Sequence, residues 1–364
     1  LAYCFFSVPG DSCEFLPLQY GGNYSLRITP AGAYAISGLA TLSYPVTGVL
    51  QTDGISKLIQ LSRAGQKARL TFDAVAGEHL RFRWKNSTFA GTWSRIDIYS
   101  PQSAWIEYAT FDDGVYGVAT GTLDLINLPL SGRYDVLISP HRSSTGEVGV
   151  EIAKHSAALS VDGLALDFSV DSLQKGKYTF AGTVGQRLGL GIIDLQVPAG
   201  QKIMTGVHPP DGIIPVSNTG CNAYSPGGSC DLDKLPSSGP YVVSIVAPAG
   251  GATGKLLLSS DVVGPITVGS PKTYATTRAG QNARYTFTAT AGQNLNLDWK
   301  NTTFSSGYIF ISVPNGNLLS SRYFNSSSFA SGTFPLANLP ATGSYTVVVS
   351  PDGLAVGAIE LLLR

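Results

Sequence analysis

The chain has 364 residues, only 13% of them charged, and its 24 basic and 24 acidic residues give a formal net charge of zero. This balance argues against a nucleic-acid partner or a polybasic membrane contact, because both need a net positive face. No apolar run approaches the roughly 18 residues of a membrane-spanning helix, so no membrane span is expected. The 42 glycines and 21 prolines separate short segments rich in Val, Ile, Tyr, Phe and Thr, which is typical of all-β proteins.

Two cysteine pairs share one spacing. Cys4 and Cys13 are separated by eight residues, and so are Cys221 and Cys230. Each pair lies in a segment with Pro, Gly and Ser, so two local disulfides and an extracellular or cell-surface location are predicted. A zinc site is the alternative, but the C-x2-C spacing typical of such sites is absent.

A Leu-Pro-x-x-Gly-x-Tyr motif marks a repeated unit of roughly a hundred residues. It ends at Tyr134, Tyr241 and Tyr345, and a variant copy ends at Tyr24. In each copy the tyrosine begins a strand after a glycine turn, which predicts a corner tyrosine whose ring is packed and whose hydroxyl bonds to the backbone. The variant copy comes so early that the chain is expected to start within a repeat.

A second pattern fixes the phase of the strands. Residues 64–89 and 279–304 are identical at sixteen of 26 positions. Apolar residues recur at every second position, so these segments are predicted to be strands with one face in a core. Trp84 and Trp299 are in phase with the apolar residues, and we expect both to lie in a core.

The two patterns together predict an all-β chain of tandem antiparallel β-sandwiches, jelly-roll-like and arranged as a semi-rigid rod. About eight strands are expected in each unit. Short linkers are assigned to Ser43-Tyr44-Pro45, Lys154-His155-Ser156 and Asp261-Val262-Val263. Cysteine-type and tryptophan-type domains alternate: residues 1–44 are predicted to be the C-terminal half of a cysteine-type sandwich, 45–154 a tryptophan-type sandwich, 155–260 a cysteine-type sandwich and 261–364 a tryptophan-type sandwich.

Half a sandwich exposes an apolar sheet face, at a cost of several kcal/mol for several hundred Å² at about 25 cal/mol/Å². Residues 1–44 are therefore expected to be completed from outside this sequence. Upstream repeats of the same polypeptide would do so, and so would strands from another copy of the chain, which would give a head-to-tail polymer.

The segments Gly-Gln-x-Ala-x-x-Thr-Phe, Ala-Gly-Gln and Leu-Pro-Ala-Thr-Gly-Ser-Tyr-Thr-Val-Val-Val-Ser-Pro resemble the bacterial pre-peptidase C-terminal type of domain. They are also similar to related β-sandwich repeats of large secreted or surface-anchored bacterial proteins, including some that carry RHS repeats. The resemblance implies a secreted bacterial protein with jelly-roll-like sandwiches. It implies accessory modules rather than an activity, and some relatives bind calcium or polysaccharide.

Residues that could carry chemistry are few. The four histidines, His79, His141, His155 and His208, form no catalytic pattern with Cys, Ser or Asp, so no enzymatic activity and no catalytic residue are expected. No cofactor is expected. The densest acids, which are weak calcium candidates and more typical of turns, are Asp112, Asp113, Asp231 and Asp233.

Trp93 and Trp105 occur only in the second domain and are the candidates for contact with a ligand. The function expected from the sequence is that of a non-enzymatic, extracellular structural or adhesive protein, as part of a surface stalk or a filament. The alternative is a carbohydrate-binding accessory region of a secreted hydrolase, with polysaccharide as the partner.

Overall fold

The computed structural model of the chain describes residues 20–30, 32, 35–91, 93–115, 118–155, 157–172, 174–210, 221–232 and 234–364. These residues form two compact units, Leu1–Ser156 and Ala157–Arg364. The first unit contains one β-sandwich and the second contains two, so the predicted fold class of tandem antiparallel sandwiches is confirmed. In the described part of the chain, no helix is long and apolar enough to cross a membrane.

The second domain is a sandwich of a five-stranded sheet, in the order β1-β3-β8-β5-β6, and a four-stranded sheet, in the order β2-β9-β4-β7. Its strands are β1 Val46–Val49, β2 Lys57–Leu61, β3 Ala68–Ala74, β4 Leu80–Lys85, β5 Ser94–Tyr99, β6 Trp105–Phe111, β7 Gly121–Leu125, β8 Gly132–Ser139 and β9 Gly146–Lys154.

The third domain pairs two four-stranded sheets, in the orders β11-β16-β13-β14 and β10-β17-β12-β15. Its strands are β10 Leu166–Val170, β11 Lys175–Gly182, β12 Leu188–Gln196, β13 Lys202–His208, β14 Cys221–Tyr224, β15 Gly228–Asp231, β16 Gly239–Val246 and β17 Ala252–Ser260.

The fourth domain repeats the second, with sheets in the orders β18-β20-β25-β22-β23 and β19-β26-β21-β24. Its strands are β18 Val262–Pro265, β19 Lys272–Thr276, β20 Ala283–Ala289, β21 Leu295–Lys300, β22 Ser306–Ser312, β23 Leu318–Asn325, β24 Gly332–Leu336, β25 Gly343–Pro351 and β26 Gly357–Leu363.

Both tryptophan-type domains contain a strand that the sequence analysis did not predict. Val262 and Val263, assigned to a linker, begin β18, which pairs in parallel with β20. The short β1 pairs with β3 in the same way. Each strand has only four residues and includes a glycine, so alternation is too short to reveal it. The connector thereby becomes part of the sheet of the domain that follows it.

The tyrosine of the repeated motif plays the same role in all three sandwiches. Its hydroxyl donates to the carbonyl oxygen four residues earlier, at 2.8 Å, and accepts from the amide of the same residue. Its buried ring stacks on a phenylalanine of the neighbouring strand, with ring centroids 5.1 to 5.2 Å apart. The prediction of a corner tyrosine is confirmed for Phe72–Tyr134, Phe180–Tyr241 and Phe287–Tyr345.

The two domain types close the same edge of the sandwich differently. Trp84 and Trp299, at 0% and 6% exposed, lie in cores as predicted, and each indole donates to a backbone carbonyl of the connection between the two sheets. In the third domain Ile192 takes this position, since Ile192 pairs with Gly228 as Trp84 pairs with Gly121. There the closure is a disulfide between Cys221 on β14 and Cys230 on β15, with Cα atoms 5.7 Å apart, and it joins the two sheets.

Residues 20–30 and 35–45, which include part of the predicted half sandwich, form no strand in the structure. Tyr24, Leu26 and Ile28 are exposed there. A hairpin without further strands buries too little apolar surface to be stable, so the assignment of residues 1–44 to half a sandwich completed from outside this sequence stays a prediction. Cys4 and Cys13 lie outside the described residues.

Candidate interaction surfaces

The second unit contains an intimate joint between its third and fourth domains. Strand β12 presents Gly189 and Gly191 on its outer face, and both approach the loop of Ala279 and Gly280. A Cβ on Gly189 would overlap the carbonyl oxygen of Gly280, and one on Gly191 would stand 2.5 Å from that of Ala279. The two glycines therefore let one backbone lie directly against another.

The positions equivalent to these glycines have large or polar side chains in the other two sandwiches. Register places Arg81 and Arg83 there in the second domain, and Asn296 and Asp298 in the fourth. Arg81 is held in an ion pair with the buried Asp124, at 2.6 Å. The bare strand face is thus particular to the cysteine-type domain among the sandwiches that the structure describes.

Side chains of the fourth domain lock the joint. Arg278 donates from Nε to Ser259 Oγ at 2.8 Å and from its terminal nitrogen to the carbonyl oxygen of Gly163 at 2.6 Å. Gln281 donates to the carbonyl oxygen of Ser260 at 3.0 Å and accepts from the amide of Thr277. A guanidinium that bonds to two separate segments of the preceding domain fixes orientation as well as distance.

Asp231 adds a polar contact at this joint, where it accepts from Asn282 at 2.5 Å. Burial raises the pKa of the Asp231 carboxyl, against the lowering effect of the Asn282 hydrogen bond. The negative charges of Asp231 and Asp261 oppose one another, while Arg284 offsets both. A raised pKa in the folded state means that ionisation of Asp231 works against folding above its ordinary pKa, and this penalty disappears as the pH falls. Asp231 therefore positions Asn282 rather than stabilising the joint by charge.

The second domain repeats one part of the joint. Gln66 occupies the position of Gln281, accepts from the amide of Ser62 at 3.2 Å and donates to the carbonyl oxygen of Tyr44 at 3.1 Å. The same glutamine thus ties both tryptophan-type domains to the chain that precedes them. Both glutamines occupy the same place in the matching segments 64–89 and 279–304.

A second surface lies on the outer face of the five-stranded sheet of the second domain. We name it the Trp105 cluster, comprising Arg95, Asp97, Trp105 and Tyr108. Trp105 donates from Nε1 to Asp97 Oδ1 at 3.2 Å, and Arg95 donates from Nε to the same oxygen at 2.8 Å. The Arg95 guanidinium lies 4.4 Å from the Tyr108 ring centroid, and the two aromatic rings are 5.7 Å apart.

The Trp105 cluster is exposed and yet held in place. Trp105 and Tyr108 are 49% and 46% exposed, whereas Asp97, which orients the indole, is 6% exposed. Rings fixed in this way can stack on a ligand without losing much side-chain entropy. Trp93 is still more exposed but stands on the turn before β5, with φ of 81°, and takes no part in these ring contacts.

The acidic residues considered for calcium are dispersed. Asp112 is buried and accepts from the amide of Gly114 at 2.6 Å, and Asp113 accepts from the amide of Val115. Asp231 belongs to the joint, and Asp233 lies outside the described residues. Among the residues that the structure describes, no three His, Cys, Asp or Glu side chains are grouped to hold a metal ion.

His79, His155 and His208 each lie beside a polar neighbour. His79 accepts at Nδ1 from the amide of Asn127 at 3.0 Å, and burial lowers its pKa. His155 lies 3.3 Å from the Arg81 guanidinium. His208 is 3.5 Å from Ser244 Oγ, but burial and the neighbouring Lys175 lower its pKa.

Sequence reasoning did not identify the residues of the joint. Arg278 follows a strand in what reads as a turn, and Gly189 and Gly191 read as residues that merely weaken a strand. The signal was the strict alternation Leu-Gly-Leu-Gly-Ile at the start of β12, in which both outward positions are glycine. The sequence analysis also did not identify four aromatic residues on the fourth domain, which are Tyr308, Phe310, Tyr323 and Phe329.

Comparison with known proteins supports the resemblance in one domain. No curated protein matches the chain. Among solved structures, the triple jelly roll of the turret assembly of an archaeal virus is 13% identical, with 85% of this chain and 89% of that chain covered and a TM-score of 0.25. The CUB1-EGF-CUB2 domains of rat MASP-1 are 9% identical, with 86% and 99% covered and a TM-score of 0.21. The family model of the bacterial pre-peptidase C-terminal domain matches residues 281–351, which confirms the resemblance for the fourth domain.

Proposed function

We propose that the chain is a non-enzymatic, extracellular structural and adhesive protein that forms part of a surface stalk or a head-to-tail filament. The observation that carries this proposal is the joint between the third and fourth domains. Domains linked only by a short connector move relative to one another by default. Here two glycines allow close approach of the two backbones, and Arg278 and Gln281 bond one domain directly to the next. A semi-rigid array of domains requires such a joint.

The other parts of the proposal agree with this role. The Cys221–Cys230 disulfide suits an oxidising location outside the cell. Copies of the chain, or upstream repeats of the same polypeptide, are the proposed partners in the array. The alternation of a bare-faced cysteine-type domain with a tryptophan-type domain makes the pair, rather than the single sandwich, the repeating structural element.

The joint predicts a measurable effect of Arg278→Ala. The substitution removes the donors to Ser259 and Gly163 and leaves both domain cores intact. We expect the joint to weaken by about 1.5–3 kcal/mol, so that small-angle scattering shows a broader distribution of interatomic distances. Calorimetry should resolve separate third-domain and fourth-domain transitions in the variant.

Arg322→Ala is the matched control, because Arg322 is an exposed arginine that lies over the Phe334 ring within the fourth domain. Its scattering curve should equal that of the wild type. If Arg278→Ala also left both scattering and calorimetry unchanged, the joint would not hold the domains in solution, and the structural role would lose its basis.

A carbohydrate-binding accessory region of a secreted hydrolase is the second candidate function, and the Trp105 cluster is the observation that favours it. Its oriented indole and tyrosine would supply a stacking surface, with Arg95 and Asp97 beside it for hydrogen bonds. In this function, Trp105→Ala should weaken the retardation of the chain in native gels that contain polysaccharide. The apparent Kd should rise by about tenfold. Trp93→Ala, at an exposed tryptophan outside the cluster, should not change this Kd.

A further inference from the structure

A second group of exposed rings lies on the fourth domain and goes beyond the proposed structural role. We name it the Tyr308 cluster, comprising Tyr308, Phe310, Tyr323 and Phe329. The ring centroid of Tyr308 lies 5.7 Å from that of Phe310 and 5.4 Å from that of Tyr323. The ring centroids of Tyr323 and Phe329 are 6.0 Å apart. Tyr308, Tyr323 and Phe329 are 41%, 38% and 53% exposed. Four rings in contact thus form one continuous aromatic surface that is open to solvent.

A locked turn holds the outer end of the Tyr308 cluster. Asn325 Oδ1 accepts from the amides of Ser327, Ser328 and Phe329, at 3.1, 2.6 and 2.9 Å. The carbonyl oxygen of Phe329 in turn accepts from Trp299 Nε1 at 3.3 Å. The backbone of Phe329 is therefore held by the core residue Trp299 and by the Asn325 turn. Such order at an exposed apolar residue favours binding, because little entropy is lost when a ligand arrives.

The chemistry around the rings narrows the class of ligand. Pairing of β22 with β23 and β25 places Ser306, Asn325 and nine further residues on this outer face. All nine are neutral, and most carry a ring or a hydroxyl: Tyr308, Phe310, Ser312, Leu318, Ser321, Tyr323, Thr346, Val348 and Ser350. The neighbouring strand β20 carries a charged residue on this face, Arg284, which forms an ion pair with Asp261 at 2.8 Å.

The equivalent face of the second domain differs. Its nine positions include Arg95, Asp97 and Asp135. The fourth domain therefore offers stacking and hydroxyl bonding without net charge, whereas the second domain offers stacking beside an ion pair. A pyranose ring has an apolar C–H face that packs on aromatic rings, and its hydroxyls bond to Ser, Thr and Tyr.

We infer that the Tyr308 cluster is a binding platform for a neutral polysaccharide. The ligand lies across β22 and β23, with sugar rings on Tyr308, Tyr323 and Phe329 and with its hydroxyls directed toward Ser321 and Ser350. The inference deepens the second candidate function and does not depend on the joint. Loss of polysaccharide binding and loss of the joint can therefore be observed separately.

The test is native electrophoresis of the full chain in gels that contain hydroxyethylcellulose, laminarin or mannan, with heparin as an anionic comparator. We expect at least one neutral polysaccharide to retard the wild type. The double variant Tyr308→Ala, Tyr323→Ala should lose affinity by at least about tenfold. Tyr224→Ala is the matched control, since Tyr224 is 53% exposed on the third domain and should migrate as the wild type does.

Several results would overturn the inference. These are no retardation of the wild type by any neutral polysaccharide, retardation that survives in the double variant, and retardation by heparin alone. Light scattering tests whether the cluster binds another copy of the chain instead. A dimer of the wild type that is lost in the double variant would show that the cluster is a self-association surface, and this would also overturn the inference. If the double variant melts early, Tyr308→Thr, which suits a strand, replaces it with the same expected loss of binding.

Discussion

Trp299→Ala is expected to lower the free energy of unfolding of the fourth domain by about 3–5 kcal/mol. Trp299 is 6% exposed and closes the sandwich edge by donating to Phe329. Its partner across the sheet is Gly332, where a Cβ would overlap the indole. Because this neighbour has no side chain that could move into the vacated space, the cavity should persist and the full cost should appear.

Differential scanning calorimetry of the full chain measures this effect. A loss of 3–5 kcal/mol in a domain of this size corresponds to a fall of more than about 12 °C in the transition of that domain. The transition temperature of Trp299→Phe should lie between those of the wild type and Trp299→Ala, since this variant keeps a ring but loses the donor to Phe329. Trp93→Ala, at an exposed tryptophan with the same change of side chain, should stay within about 0.5 kcal/mol of the wild type. An equal effect of Trp93→Ala and Trp299→Ala would contradict the closing role.

The sandwich fold was predictable because its signals are local. Alternation in residues 64–89 and 279–304 placed Phe72, Trp84 and Trp299 on inner faces, and all three are buried. The motif tyrosines were also predictable, since a glycine turn followed by a strand leaves the ring only the core side. The face on which such a side chain lies can be predicted from the order of residues alone, although its neighbours there come from distant strands, as Phe72 does for Tyr134.

Features that depend on distant segments were not predictable in the same way. Arg278 bonds to Gly163, which is 115 residues away in sequence, and no alternation encodes that distance. The two short parallel strands were not predicted, because each contains only four residues. Val262 and Val263 of β18 were assigned to a connector, and β1 was not recognised as a strand. The Tyr308 cluster was missed because its rings come from two strands and a turn, and only register brings them together.

The two closures of the sandwich edge suggest why the domain types alternate. In the third domain the disulfide joins the sheets at the edge next to β12, so the edge does not depend on a bulky residue there. The outward positions of the neighbouring β12, Gly189 and Gly191, carry no side chain. In the second domain the corresponding outward positions carry Arg81 and Arg83, and Arg81 pairs with a buried aspartate. A covalent closure and a bare docking face therefore occur in the same domain.

Gly189→Ala should open the joint between the third and fourth domains while leaving both cores folded. The new Cβ would overlap the carbonyl oxygen of Gly280, which is backbone and cannot rotate away as a side chain could. The two domains would have to separate locally, and the Arg278 and Asn282 hydrogen bonds depend on the same approach. Overpacking of this kind typically costs about 1–3 kcal/mol, and the loss of the joint bonds adds to it.

Hydrogen exchange locates this effect. The amides of Thr277 and Gln281 are bonded within the joint loop, and we expect both to exchange faster in Gly189→Ala, while amides of β20 and β16 keep their protection. Gly228→Ala is the matched control, because Gly228 lies on the neighbouring β15 and its added Cβ would make ordinary contact at 3.4 Å with Ala223. A variant that protected the joint amides as the wild type does would show that the approach of β12 to Gly280 does not hold the joint, and Arg278 would then have to carry the coupling alone.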